Sequence, residues 1–386
     1  MPNIPSDFCT ATTIRRGDTD YLSFGGCNYL GLAHDPRVLH AAQEALGRYG
    51  LSSSASRETT GNARPHAKLE KQLTAFCGHE AGLLVPDGYT ANLAALQGLE
   101  AMGIKHAVID ERAHASLKDA AILASLDIHL FDHLDADHAR SIIEKLDAPA
   151  VIMTDSVFTT DGDLAPAESL NELLRDDDWL LLDDCHGFGV MGDHGRGIAD
   201  ELSLRRDQLI VTSTLAKGLG CAGGIVMGHR DPIEAARETS IAYICTTPAA
   251  PPLVNAGLEA LNILKHDDSI HARLQRNISH VREVLNSVGI ETHSLRTAIF
   301  AFTIGDLERM RSIENQLLEL GVILPLMEYP NGPAPMYFRL AVNASHTPEQ
   351  LEHLRSALQR ATQTVAVEVP TRASCKKASK DIAREI

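Results

Sequence analysis

Trp179-Leu-Leu-Leu-Asp183-Asp-Cys-His186-Gly187, followed downstream by Leu209-Ile-Val-Thr-Ser-Thr214-Leu-Ala-Lys217-Gly218, is the stretch on which the fold turns. Each half is a short, uninterrupted apolar run that ends abruptly in polar, chemically able residues. Such runs are the mark of strands buried on both faces of a parallel sheet. Further runs at Ala107–Ile109, Val151–Thr154 and Gly224–Met227 repeat the pattern, with helix-like stretches such as Ala165–Arg175 between them. Strand–helix alternation over this length predicts an α/β fold, a mostly parallel central sheet with helices on both faces. Polar clusters follow the strands at Asp110–Ser116, Asp155–Asp163, Asp183–His186 and Thr214–Lys217. In open α/β sheets ligands bind outside the carboxyl ends of the strands, so one site could gather all four clusters.

The chain has 386 residues, with 35 Lys plus Arg against 51 Asp plus Glu, a formal charge of −16. Its hydrophobic fraction of 44% supplies a sizeable core and excludes a disordered or collagen-like chain. The acidic balance argues against a nonspecific nucleic-acid or anionic-membrane binder. No apolar run reaches the ~20 residues needed to span a bilayer. Met1–Asp20 has no signal-peptide core and reads as a polar lead-in, with Arg15 and Arg16 solvated. The seven cysteines are scattered and form no Cys-x-x-Cys pair, which points to a reducing, cytoplasmic setting rather than a disulfide scaffold or zinc site. His129, His133 and His138 with Asp132, Asp135 and Asp137 make a His/Asp-rich patch, read as a solvated face with no metal.

The expected organisation is a segment over 1–50, a large domain over 51–249, a smaller α+β domain over 250–365 and a charged tail over 366–386. In the smaller domain a helix is expected over Leu253–Lys265, and strands at Ala298–Thr303 and Met336–Val342. Thr347, Pro348 and Gln350 spell a capping box for a last helix whose Leu351, Leu354 and Leu358 share a face.

Taken singly, Asp183 is a capped strand end or an ion pair, His186 a satisfied loop histidine and Lys217 a surface lysine. Together they change meaning. Pyridoxal 5′-phosphate requires an imine-forming lysine, an acidic partner for its ring nitrogen and donors for its phosphate. Burial favours the nucleophilic form of such a lysine.

On these residues and on a set of ordered motifs the chain resembles the α-oxoamine synthase family of fold-type I pyridoxal phosphate enzymes. The motifs are Asn28-Tyr-Leu-Gly-Leu32, Ser56-Arg57 with Gly61 and His66, Asp87-Gly-Tyr89, His114-Ala-Ser116, Phe158-Thr-Thr-Asp-Gly-Asp163, Asp183-Asp-Cys-His186-Gly, Gly195-Arg-Gly197, Thr214-x-x-Lys217-Gly, Thr246-Thr247, and Arg339 with His346-Thr347. The resemblance implies that Lys217 forms the imine and later removes the Cα proton. Asp183 would pair with the ring nitrogen, His186 and Thr159 would meet the 3′-oxygen side, and His114 would stack on the ring. Gly88 and Tyr89 would supply phosphate-binding N–H groups at the start of a helix, expected over Thr90–Leu99. Thr214 would add a hydroxyl to the phosphate, and Thr246 and Thr247 would reach the phosphate of a partner subunit in a homodimer. Arg339 would clamp the amino-acid carboxylate, which guanidinium geometry suits, and Asn28 would contact the substrate.

The reaction implied is a decarboxylative, Claisen-type condensation of a small amino acid with an acyl thioester of coenzyme A or a carrier protein. It would yield an α-amino ketone, CO₂ and a free thiol. The chain departs from the family pattern at Cys27, where an Asn is usual, at Ser52-Ser-Ser-Ala55, where glycines are usual, and at Asn62-Ala-Arg64-Pro65. Side chains at Ser52–Ala55 are expected to narrow the acyl channel. Two rivals are a fold-type I aminotransferase, which often carries Tyr where His186 stands, and a cofactor-free supporting subunit, which would be expected to lack Lys217.

Overall fold

The computed structural model describes residues 4–292, 296–329 and 331–363. The segment 366–386, read as a charged tail, lies outside the described residues.

The chain divides into two units. The larger one, Cys27–Thr159 with Leu164–His271, is built on a seven-stranded sheet. Its strands, in chain order, are β1 (Ala81–Val85), β2 (His106–Asp110), β3 (Asp127–Phe131), β4 (Ala150–Asp155), β5 (Trp179–Asp183), β6 (Leu209–Thr214) and β7 (Gly224–Gly228). Their order across the sheet is β1-β7-β6-β5-β4-β2-β3. Neighbours from β6 through β3 pair in parallel. Strand β7 alone runs against the rest, inserted between β1 and β6. The five strands expected from the sequence are present, each extended by a residue or two. Strands β1 and β3 are additions.

Parallel strands need crossovers, and here helices supply most of them. Gly88–Ala101 carries the chain from β1 to β2, and Ala115–Leu123 from β2 to β3. Ala-rich faces of these helices pack on the apolar side chains of β1, β2, β4 and β5, forming a core of Leu83, Leu96, Leu99, Ile109, Leu117, Met153 and Leu181 among others. At about 25 cal/mol per Å² of apolar surface removed from water, this is the dominant stabilising contribution. The expected helix over Ala165–Arg175 shortens to Ala167–Asn171. Arg175 instead folds back onto the Asp178 carboxylate and the carbonyls of Leu146 and Ala148, bracing the entry to β5. Helix Pro251–His266 belongs to this unit and packs against Pro36–Tyr49.

The second unit takes in the described residues up to Gly26, Thr160–Asp163 and the described residues from Ala272 on. It holds two small sheets. Strands Asp7–Phe8, Thr13–Arg16, Thr19–Ser23 and Val322–Ile323 form one, and Ile299–Phe302, Tyr337–Ala341 and Leu326–Met327 the other. Among the described residues up to Asp20, Asp7–Phe8, Thr13–Arg16 and the start of Thr19–Ser23 are therefore paired strand rather than lead-in. Their side chains are too polar to announce a strand, but their backbone groups are satisfied by the ladder, and Arg15 ion-pairs with Asp20 across it. Helix Pro348–Thr362 opens with the expected capping box between Thr347 and Gln350, and Leu351, Leu354 and Leu358 are buried.

Candidate active site

The sequence folds so that polar residues emerge where the strands running in the common direction end. Strand β5 delivers Asp183, 5% exposed, and the turn after it delivers His186, 6% exposed. Strand β6, beside β5, runs on through Thr214 to Lys217. Lys217 Nζ lies 2.7 Å from His186 Nε2, and the opposite ring nitrogen lies 2.6 Å from the Tyr29 hydroxyl.

The Asp183 carboxylate accepts from the Cys185 backbone N–H at 3.0 Å and from Asn92 Nδ2 at 2.7 Å. Among the described residues it forms no ion pair. Asn92 is fully buried on helix Gly88–Ala101. Its second donor contact goes to Ser116 Oγ at 2.8 Å, and its carbonyl accepts from Thr212 Oγ1 at 2.6 Å. Ser116 in turn lies 2.7 Å from His114 Nδ1, which also accepts from the Ser116 backbone N–H. Because Nδ1 accepts the Ser116 backbone N–H it carries no proton, and the Ser116 hydroxyl donates to it. The His114 ring proton then sits on Nε2. The network thus joins His114 to Asp183 through two intermediaries. The sequence reading passed over Asn92. Its only signal was a lone amide in the apolar run Ala91–Ala95.

Electrostatics follow from burial. Burial pulls His114 below the ordinary imidazole range, with Asp183 opposing and Lys217 assisting. Burial raises Asp155, which accepts the His114 N–H at 3.0 Å, well above the carboxylate range, and the negative charge of Asp183 adds to this. Asp184 is pushed up to about 7 by burial, although Ser156 and the Ile198 N–H donate to it. Its carboxylate fills space that side chains at Gly187 and Gly197 would need, and so pins the Gly195–Gly197 turn.

Gly88 opens helix Gly88–Ala101, whose N-cap Asp87 accepts from Thr90 N–H. A Cβ at Gly88 would meet Thr214 Cβ at 2.9 Å and Cys185 Sγ at 3.2 Å. The helix start therefore lies directly against the ends of β5 and β6. Tyr89 is exposed and its hydroxyl donates to Asp119. Thr214 Oγ1 donates to the Gly223 carbonyl at 3.1 Å. Thr159 is half-buried just past β4. Asn28 accepts the Ala33 N–H at 3.3 Å, which ties it to its own turn. Thr246 donates to the Ala242 carbonyl, and Thr247 is exposed beside it. Arg339 belongs to the second unit, buried on strand Tyr337–Ala341.

The His/Asp-rich patch is occupied by local bonds. His133 Nδ1 lies 3.0 Å from Asp110, His138 Nδ1 accepts the Asp132 N–H, and His129 faces His106.

The donor set fits pyridoxal phosphate. A buried carboxylate with two donors and no cation is costly to keep ionised, and a protonated ring nitrogen is the partner that offsets this. An amine stands on the neighbouring strand end. A helix of fourteen residues starts with Gly88; Asp87 takes the Thr90 N–H, while the N–H groups of Gly88 and Tyr89 have no acceptor among the described residues, a ready anion site.

Comparison with known proteins agrees. The family model described as aminotransferase class I and II matches residues 19–358. An 8-amino-7-oxononanoate synthase of Stutzerimonas stutzeri is 35% identical over 341 residues, covering 87% of this chain and 86% of the relative. One of Chromobacterium violaceum is 36% identical over 343 residues, covering 88% and 89%. Among solved structures, a serine palmitoyltransferase variant from S. paucimobilis with a bound PLP–myriocin aldimine superposes with a TM-score of 0.86 at 25% identity, covering 92% of this chain and 91% of that one. Motif order, sheet topology and relatives converge, and the chain belongs to the aminotransferase class I and II family, within its α-oxoamine synthase branch of fold-type I pyridoxal phosphate enzymes.

Proposed function

We propose that the chain catalyses the decarboxylative condensation of a small amino acid with an acyl thioester, releasing CO₂ and a free thiol and leaving an α-amino ketone. The observation that carries this is Lys217 Nζ held 2.7 Å from His186, one strand away from a buried Asp183 that forms no ion pair among the described residues. The relatives' name, 8-amino-7-oxononanoate synthase, describes an amine next to a ketone, the same product pattern. An aminotransferase would use the same lysine and aspartate. His186, where those enzymes often carry Tyr, and the synthase relatives favour condensation.

When bound, pyridoxal phosphate supplies an aldehyde carbon for the amino group and a protonated ring that draws electron density from Cα. Lys217 would hold the cofactor and then, as a free amine, take the Cα proton onto Nζ. Asp183 would keep the proton on the ring nitrogen, its charge steadied by Asn92 and the Cys185 N–H. His114, fixed by Ser116, would cover the ring face and exclude water. His186 and Thr159 would meet the 3′-oxygen. The N–H groups at Gly88 and Tyr89 and the Thr214 hydroxyl would hold the phosphate. Arg339 would bind the substrate carboxylate, and Asn28 would line the substrate side. Thr246 and Thr247 would serve a second copy of the chain, making the working form a homodimer, and its setting the cytoplasm. In support, no described helix is long and apolar enough to cross a membrane.

The test is an amino-acid screen against short and long acyl-CoA and carrier-bound acyl groups, following thiol and CO₂ release. Stoichiometric thiol and CO₂ with one amino acid supports the reading. Keto-acid formation without thiol release assigns the aminotransferase instead. Borohydride reduction of the holoenzyme should leave the cofactor on the Lys217 peptide.

A further inference from the structure

Ser56, Arg57, Gly61 and His66 form one of the ordered motifs. Two of these side chains reach main-chain carbonyls far along the chain, on either side of Thr246-Thr247. Ser56 Oγ lies 2.6 Å from the Ile244 carbonyl, and His66 Nε2 lies 2.8 Å from the Ala249 carbonyl. A carbonyl only accepts, so the Ser56 hydroxyl and the His66 Nε2–H both donate. The two carbonyls stand two residues before Thr246 and two residues after Thr247. We propose that Ser56 and His66 are positioning residues that clip Thr246-Thr247 from both flanks, so that the pair is set to meet a cofactor phosphate. The proposal rests on those threonines serving a phosphate across the homodimer.

The clipped segment has little to hold it otherwise. Cys245 N–H closes the short helix Ile241–Ile244 onto the Ile241 carbonyl, and the next backbone bonds run from Leu253 and Val254 to the Ala250 carbonyl. Among the described residues, 246–249 make no backbone–backbone hydrogen bond. Thr246 commits its hydroxyl to the Ala242 carbonyl at 2.8 Å, and Thr247 is exposed. Ordering a loose stretch when a ligand arrives weakens binding, and holding it beforehand recovers affinity. The clip is itself braced. The Ser56 carbonyl accepts the Thr59 and Gly61 N–H groups at 3.1 and 2.9 Å, and a Cβ at Gly61 would collide with the Ala55 carbonyl. The buried Arg57 guanidinium donates to Glu70 at 2.5 Å, to the Leu84 carbonyl of β1 at 3.0 Å and twice to Asn62 Oδ1 at 3.1 Å. Glu70 shares helix Arg64–Phe76 with His66 and accepts the Leu84 N–H at 2.8 Å. Both arms of the clip are thus tied to the strand that leads to Gly88.

The experiment titrates the full chain, freed of cofactor, with pyridoxal 5′-phosphate and with pyridoxal, which lacks the phosphate, following ligand absorbance. Ser56→Ala and His66→Phe should each weaken binding of the phosphate form about threefold to tenfold, the effect of one ordinary hydrogen bond, and leave pyridoxal binding unchanged. A general folding defect weakens both ligands alike, so the ratio of the two affinities is the quantity read. His66 is fully buried, and should His66→Phe fail to fold, the half-buried Ser56→Ala carries the test. In a Thr246→Ala/Thr247→Ala background, Ser56→Ala should change the ratio no further. An unchanged ratio in Ser56→Ala, or an equal fall in both backgrounds, overturns the proposal. A ratio lowered by the threonine substitutions and untouched by Ser56→Ala sinks the clip alone. A ratio that the threonine substitutions leave unchanged overturns the reading of those threonines, and the clip with it.

Discussion

Replacing Asn92 with Ala removes the donor that Asp183 Oδ2 shares with Ser116, and also the acceptor of the Thr212 hydroxyl. All of this happens in a fully buried spot. A hydrogen bond to a charged group contributes about 1.5–3 kcal/mol, and a neutral one about 0.5–1.5 kcal/mol. Losing the Asp183 and Thr212 bonds together should cost about 2–4 kcal/mol, before any contribution from the small cavity. The assay is urea unfolding of the cofactor-free chain, followed by circular dichroism, alongside cofactor affinity by fluorescence titration. Affinity should fall as well, because Asp183 loses the group that orients it. Asn92→Asp separates charge from shape. It places two carboxylates in one buried site, one of which must take a proton, so around and above neutral pH its deficit should shrink as pH is lowered while that of Asn92→Ala, which leaves a single carboxylate there, changes little. A loss below about 1 kcal/mol in Asn92→Ala, or identical pH behaviour in the two variants, would refute the assignment of Asn92 as the support of Asp183.

Gly88→Ala should weaken cofactor binding at least about tenfold and destabilise the chain by about 1–3 kcal/mol, although Ala favours helix over Gly, because its Cβ would lie 2.9 Å from Thr214 Cβ; isothermal titration and thermal melts check both. Asp184, raised to about 7 by burial against an unfolded value of 3.8, keeps its proton better when folded. Its contribution is therefore complete below about pH 4 and falls as pH rises toward 7, by up to about 1.4 kcal/mol per pH unit. The stability difference between the unsubstituted chain and Asp184→Asn should carry that slope, and a pH-independent difference would contradict it. Asp183→Asn should bind the cofactor poorly and slow Cα proton exchange, read by deuterium wash-in from solvent. Lys217→Ala should lose both turnover and the borohydride-stable adduct, and full activity in that variant would remove the lysine from its role.

Much of the large unit was legible because its central strands are continuous apolar runs that end in charge. Both Trp179–Asp183 and Leu209–Thr214 are buried throughout, and their apolar runs, Trp179–Leu182 and Leu209–Val211, are uninterrupted before the polar residues that lead into the site. Strand β3, Asp127–Phe131, hid for the opposite reason. It is the sheet edge, and its Asp, His and exposed apolar side chains imitate a loop. Strand β1 begins Ala-Gly, which weakens any local strand signal, and it exists because β7 pairs with it. The same limit applied in the site. Asp183, His186 and Lys217 announced themselves by position after strands. Asn92 and Tyr29 did not, since their meaning lies in partners 91 and 157 residues away.

Strand β6 is joined to β7 by a closed hairpin, with Thr214 opposite Gly224 in register. Inside it, Leu215 N–H reaches the Gly223 carbonyl, Cys221 N–H the Leu215 carbonyl, and Gly220 N–H the Lys217 carbonyl. The main chain beneath the amine is thus clamped on both flanks. On the role proposed for Lys217, each release and recapture of that nitrogen would come from rotation about the four bonds of an aliphatic tether on a stationary anchor. Such swings take nanoseconds or less where the side chain has room, so the tempo of turnover should be governed by ligand traffic and bond making rather than by the hinge of the nucleophile.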